Sequence, residues 1–279
     1  MPELPEVETI RRDLAAEIVG TSVMALWTSG LPLRAGRSLD DTALAKATVG
    51  RRFLAPRRRA KYLLLDVEGG NVIVVHLGMS GRIVLDDASA ARPRHTHVAW
   101  SLSDGRELRY VDPRRFGLVT CVPREREDGL PELAGLGLDP LAPEFTTARL
   151  LTLVHGAKRG LKAFLLDQSV LGGLGNIYVC EALFAARLSP SVQASRLRQE
   201  RVAALREAIV AVLNRGIENR GTTLRDYVDV TGRGGENQLT LRVYVREGQR
   251  CSRRDGGVIR RVVMQGRSTF YCPVCQKRS

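Results

Sequence analysis

A chain of 279 residues with 44% hydrophobic residues is long enough for two modest domains and too apolar to be a disordered tail. Its formal net charge of +13 favours a polyanionic partner, because surface Lys and Arg displace counterions condensed on phosphate. A membrane surface or simple solubility would also use such charge. The opening MPELPEVETIRR has no apolar core or cleavage pattern, and no stretch is apolar for the length a bilayer needs. A soluble, intracellular protein is therefore expected.

Residues 3 to about 19 predict a helix, with Pro5 in its first turn, Glu residues at the positive end of its dipole and Gly20 as its stop. From about 22 to 122 the pattern turns to strands. Short apolar or alternating runs cover 61–67, 71–79, 81–87, 96–102, 107–112 and 117–122. Turn residues such as Glu68-Gly69-Gly70 and Asp104-Gly105 separate them. This predicts a β-sandwich or barrel with the first helix packed on it. Residues 124–145 are rich in Pro, Gly and acids and read as a connection. Helical spacing follows at 148–157, 161–170, 176–188 and 195–221. A Gly-rich loop (TGRGGENQ, 231–238) then leads to an expected strand over 241–248 and a cysteine-bearing tail. The fold class is α+β. The expected divisions are 1–130, a linker at 131–145, a helical domain at 146–240 and a hairpin tail at 241–279.

Of five cysteines, Cys121 and Cys180 sit in apolar surroundings and read as core thiols. Cys251, Cys272 and Cys275 crowd the end of the chain, which favours a metal site over a disulfide framework. Cys272-Pro-Val-Cys275 has the spacing of a zinc half-site. The other half has Cys251 alone. Arg254 stands where a second cysteine would be, and Asp255 offers an oxygen ligand. From 246 to 278 there are nine Arg or Lys against Glu247 and Asp255, which suits a groove or phosphate contact.

Other motifs carry chemistry. With Met1 removed, Pro2 would present a secondary amine able to attack an anomeric carbon and give an iminium. Glu3 and Glu6 are nearby acids, either of which burial could turn into a proton donor. Lys61, at the end of Arg57-Arg58-Arg59-Ala60-Lys61, is placed to reach a phosphate or a base. His76-Leu77-Gly78-Met79-Ser80-Gly81 sets Met79 in a turn, and Asp112-Pro113-Arg114-Arg115-Phe116-Gly117 sets cations beside an aromatic. Exposed apolar wedges beside Arg are what a base-flipping protein needs to fill a vacated stack. Gly172-Gly173-Leu174-Gly175-Asn176 opens a helix and offers backbone N–H groups to phosphate. Taken singly, each has an ordinary explanation: a helix start, a solvated charge run, core packing or a tight turn.

In combination and in this order, MPELPEVET, AKYLLL, HLGMSG, DPRRFG, GLGNIY and GRSTFYCPVCQ resemble the formamidopyrimidine-DNA glycosylase family nearly end to end. The opening MPELPE resembles this branch more than the endonuclease VIII branch. The resemblance implies a catalytic β-sandwich domain, a helix–two-turns–helix module and a zinc-finger hairpin. It implies a monomeric, cytoplasmic or nucleoid-associated base-excision repair enzyme with glycosylase and lyase activities on oxidised purines in duplex DNA. Pro2 would be the Schiff-base nucleophile, Glu3 the proton donor, and Glu6 a support for the sugar or the terminus. Lys61 would contact phosphate near the lesion. Met79, Arg114 and Phe116 would fill the gap, and His76, Lys162, Asn176 and Arg267 would join the DNA contacts. One structural zinc would be held by Cys251, Asp255, Cys272 and Cys275. The loop 231–241 lacks the aromatics expected of a cap over a flipped purine. The alternatives are the same mechanism on oxidised pyrimidines, a silent binder of damaged DNA, or a zinc-ribbon transcription or RNA-binding module.

Overall fold

Helix α1 (Leu4–Glu17) starts at Glu3 and buries Leu4, Val7, Ile10 and Leu14, the stripe its spacing dictates. Each such burial is worth about 1.5–3 kcal/mol. Gly20, at φ +84°, provides the left-handed turn that follows it. The computed structural model describes residues 1–34 and 39–277. These fall into two units, Met1–Ala134 with Ile217–Gln238, and Gly135–Gly216 with Leu239–Ser279.

The first unit is the expected sandwich. Strands β1 (Val23–Thr28), β5 (Arg82–Asp87), β6 (Thr96–Leu102) and β7 (Arg106–Val111) form one antiparallel sheet in the order β1-β6-β7-β5. Strands β2 (Arg57–Arg59), β3 (Tyr62–Val67), β4 (Asn71–His76) and β8 (Leu118–Pro123) form the other, in the order β2-β3-β4-β8. Leu63, Leu65, Ile73 and Val75 of one sheet meet Ile83, Val98, Trp100 and Leu108 of the other, and α1 adds Ile10 and Leu14. The helical elements of this stretch after α1 were not expected. Helix α2 (Asp41–Thr48) is capped by Asp40, whose Oδ1 accepts from Ala43 N at 2.8 Å. The connection after β8 holds a short 3-10 turn (Arg124–Gly129) and helix α3 (Pro131–Ala134).

The second unit carries α4 (Thr147–His155), α5 (Leu161–Leu166), α6 (Asn176–Ala185) and α7 (Gln199–Glu218), whose last two residues belong to the first unit. Helix α5 stops at Leu166, short of the expected 170, because Asp167 turns the chain by accepting from Ser169 N at 2.9 Å. Helix α6 buries Ile177 through Phe184 on every side, so it is a core helix. Strands β9 (Arg260–Met264) and β10 (Arg267–Tyr271) make the terminal hairpin. The expected strand over 241–248 does not form. The Glu181 carboxylate takes the N–H groups of Arg242, Val243 and Tyr244, each at 2.9 Å, so they are spent on a turn and not on a ladder.

Candidate active site and nucleic-acid interface

Pro2, Glu3 and Glu6 are all buried at the start of α1. Glu6 Oε2 accepts from Glu3 N at 2.8 Å, and Oε1 accepts from Thr222 N at 2.7 Å. Both oxygens are thus committed to backbone, and the terminus is pinned to the segment after α7. Gly221 makes this closeness possible. It has φ +88°, and a Cβ there would lie 2.7 Å from the Tyr227 ring and 3.0 Å from Glu6 Cγ. Helix α1 is tied to the β2–β3 hairpin by Glu8, which accepts from Arg58 Nε at 3.1 Å as well as from Arg11 and Arg12. Burial would raise the Glu8 carboxyl, but the bonds from Arg11 and Arg12 and the charges of Arg11 and Arg58 hold it at about 2.

Lys61 occupies the two-residue loop of that hairpin with Ala60, which has φ +52°. Its side chain is buried, and the next residue, Tyr62, pairs with His76 with ring centroids 4.7 Å apart. Gly78 N donates to His76 Nδ1 at 3.1 Å, so the neutral ring carries its proton on Nε2. Burial, aided by the charges of Arg34 and Lys61, pushes this imidazole down to about 4, against the pull of Asp112.

The turns after β4 and β7 lie side by side. Met79 is 43% exposed and Phe116 is 47% exposed, so neither is core. The Arg114 guanidinium covers the Phe116 ring at 4.6 Å from its centroid. Behind them Asp112 is fully buried. It accepts from Ser80 Oγ at 2.6 Å, Gly117 N at 2.8 Å, Tyr110 OH at 3.2 Å and Arg114 N at 3.3 Å. The loop around Asp229 forms a separate Asx-type turn. Asp229 Oδ1 accepts from Thr231 N and Arg233 N, and Oδ2 accepts from Arg220.

In the second unit, Lys162, expected among the DNA contacts, is 0% exposed. Nζ donates to Thr269 Oγ1 at 2.7 Å, and the amine is a brace under β10. Asn176, first residue of α6, donates from Nδ2 to Ser268 O at 2.8 Å. Lys162 and Asn176 therefore hold the hairpin just beyond Arg267, which is exposed. The ligand atoms of Cys251, Asp255, Cys272 and Cys275 all lie within 4.8 Å of one another.

Residues 1–119 match the formamidopyrimidine-DNA glycosylase N-terminal domain. Residues 136–228 match the helix–two-turns–helix domain of that enzyme, and 248–278 match the zinc finger it shares with isoleucyl-tRNA synthetase. The formamidopyrimidine-DNA glycosylase of Herpetosiphon aurantiacus is 44% identical over 280 residues, covering 99% of this chain and all of that one. That of Pelotomaculum thermopropionicum is 42% identical over 277 residues, covering 99% of each. The chain belongs to the formamidopyrimidine-DNA glycosylase family. This is a family of DNA glycosylase and abasic-site lyase enzymes. Among solved structures, a mutant of the Lactococcus lactis enzyme, in complex with DNA containing Fapy-dG, matches with TM-score 0.90 and 30% identity. The match covers 99% of this chain and 100% of that one. The Lactococcus lactis enzyme with abasic-site DNA matches with TM-score 0.89, 30% identity and 99% of each chain covered.

The zinc-finger set fits the metal. Thiolate sulfur and carboxylate oxygen are both donors that zinc accepts, and four of them make up the number a tetrahedral site needs. Asp255 Oδ1 accepts from Gly257 N at 2.8 Å, which leaves Oδ2 turned to Cys251 Sγ at 3.3 Å. Gly257 has to be Gly, since a Cβ would lie 2.5 Å from Cys272 Sγ. Arg253 donates to Cys275 Sγ at 3.2 Å and stacks on Phe184 at 4.0 Å, bringing a cation to a thiol-rich site. A bound zinc would fix the turn 251–257 against the start of the 272–276 turn.

Two residues that organise these sites were given no role from sequence. Asp112 lies within the Asp112–Gly117 motif, where its cationic and aromatic neighbours carry the stronger signal. Glu181 is an acid on an otherwise apolar helix, and that isolation was the signal.

Proposed function

We propose that this protein excises oxidised purines from duplex DNA and then cuts the strand, with the Pro2 amine as nucleophile. The observation that carries the reading is the pinned terminus. Glu6 spends both oxygens on the backbone of Glu3 and Thr222, and Glu3, buried beside Pro2 with its own carboxylate accepting from Glu6 N, is the acid held next to the amine for proton transfer. Once Met1 is removed, the Pro2 nitrogen would attack C1′ of the damaged nucleotide. Glu3 supplies the proton that base departure needs. The Pro2 nitrogen gives up its proton, and the C1′–O4′ bond opens, with O4′ taking up a proton, to leave an iminium. Its nitrogen has no proton to lose, so it stays electrophilic and acidifies C2′. Loss of that proton expels the 3′ phosphate, and a second elimination expels the 5′ phosphate. The zinc would hold the finger and takes no part in these steps.

The DNA contacts divide between the units. Lys61 and His76 serve phosphate near the lesion, while Met79, Arg114 and Phe116 fill the gap. Arg267 and the start of α6 at Asn176 serve phosphates from the second unit.

Borohydride reduction in the presence of an 8-oxoguanine·cytosine duplex tests this. The processed protein should give a covalent adduct. A version with extra residues ahead of Pro2 should give none, and Glu3→Gln should bind DNA but release little base. An adduct formed at the normal rate with a blocked terminus would sink the Pro2 assignment and move it to Lys61. An oxidised-pyrimidine duplex run in parallel decides the substrate, since loop 231–241 offers no aromatic cap.

A further inference from the structure

We propose that Asp112 is the positioning residue that joins the Met79 and Phe116 turns into one rigid wedge for opening the base stack. The inference rests on the function proposed above and adds the device that makes insertion effective.

Four donors converge on this one side chain. Ser80 Oγ comes from the Met79 turn, Gly117 N and Arg114 N from the Phe116 turn, and Tyr110 OH from β7 between them. A carboxylate has acceptor sites for all four and no proton of its own to clash with them. The backbone of the node is fixed as well. Asp112 N donates to His95 O, and His97 Nε2 donates to Asp112 O, both at 3.0 Å.

The two turns touch backbone to backbone. A Cβ on Gly78 would lie 2.6 Å from Gly117 N and from Phe116 C. A Cβ on Gly117 would lie 1.8 Å from Tyr110 OH. Gly78 at φ +60° takes the left-handed region freely, whereas Arg115 at φ +54° holds it only where the surroundings over-determine it. Asp112 supplies that determination. A wedge has to push against stacked bases, so its two apolar tips must keep their spacing while loaded. Met79 and Phe116 sit on turns, the least rigid part of a sandwich, and the buried carboxylate compensates for that.

Two substitutions test the node: Asp112→Asn, which keeps the shape and loses one acceptor oxygen, and Ser80→Ala, which removes one arm. Each is measured in single turnover on 8-oxoguanine paired with cytosine and on a pre-formed abasic site, which has no base to displace. Misplaced tips should cost Asp112→Asn about 100-fold on the paired lesion and only a few-fold on the abasic site. Ser80→Ala should lower the ratio of the two rates by about tenfold, the worth of one hydrogen bond to a buried charge. Circular dichroism confirms the fold, and if Asp112→Asn does not fold, Ser80→Ala decides. Equal losses on both substrates, or an unchanged ratio in folded variants, overturns the inference and leaves the function standing. A wild-type protein inert on both substrates overturns both.

Discussion

His76 is set up as a neutral hydrogen-bond donor. Burial first, and then the charges of Arg34 and Lys61, bring its pKa to about 4. Gly78 N occupies Nδ1, so the proton sits on Nε2, free to donate to a phosphate without a positive charge. The sign of the pH effect follows. The folded pKa lies below the ordinary value near 6.5, so the unfolded chain takes up this proton first. The stability share is whole above pH about 6.5 and is lost as pH falls toward 4. In the DNA-free protein, NMR of the imidazole should therefore show one tautomer, protonated on Nε2, across the neutral range. Its titration midpoint should lie near 4. A midpoint near 6.5 would mean that the ring is solvated and that its neighbours do not act as described. The same arrangement makes His76→Gln a milder change for DNA binding than Lys61→Gln, since a neutral donor replaces a neutral donor.

At the scale of elements, the terminal hairpin depends on few supports. β9 presents Val262 and Val263 to solvent, so packing alone holds it weakly. Its anchors are the Lys162 and Asn176 bonds to β10 and the metal set at its base. Protein purified without chelator should hold about one zinc per chain. Asp255→Ala should weaken zinc binding by more than about 100-fold, as loss of a ligand exceeds loss of an outer-shell partner. Competition against a chromophoric chelator reads this directly, and retention at wild-type affinity would show that the carboxylate is not a ligand. The Cys-x-x-Cys pair was legible because zinc demands a fixed spacing, and Asp255 because it is the ligand-type residue next to the place of the missing cysteine. Alternating apolar runs made β3 to β8 legible for a similar reason, since a two-sheet core imposes period two. The run 241–248 has the same look, yet its N–H groups go to Glu181, some sixty residues earlier in the chain. No local pattern records such a partner. Helix α2 is eight residues with few large apolar side chains, too short to show a period beside strong strands.

For the whole molecule, sequence order conceals which parts fold together. Residues 217–238 follow the helical run yet group with the sandwich. Glu6 accepts from Thr222 N, Arg220 reaches Asp13, and Leu85 N donates to Val230 O. Charge shows a similar gap between sequence and structure. The net charge of +13 includes many arginines already paired inside the protein. Arg57 binds Asp66 and Glu127, Arg58 binds Glu8, and fully buried Arg109 binds Glu107. Those cations are spent on acids and release no counterion from DNA. A footprint of about five phosphates is then expected, giving a slope near −4.5 for log K against log salt. Single residues separate by what they touch. Arg267→Ala should flatten the slope by about one, as one phosphate contact is lost. Lys162→Met should leave the slope unchanged, because its ammonium is sealed against Thr269 and meets no counterion. It should instead lower affinity by a similar factor at every salt concentration, through a loosened hairpin. Titrations of both variants at several salt concentrations check this, and a slope change in Lys162→Met would return that residue to the phosphate-binding set.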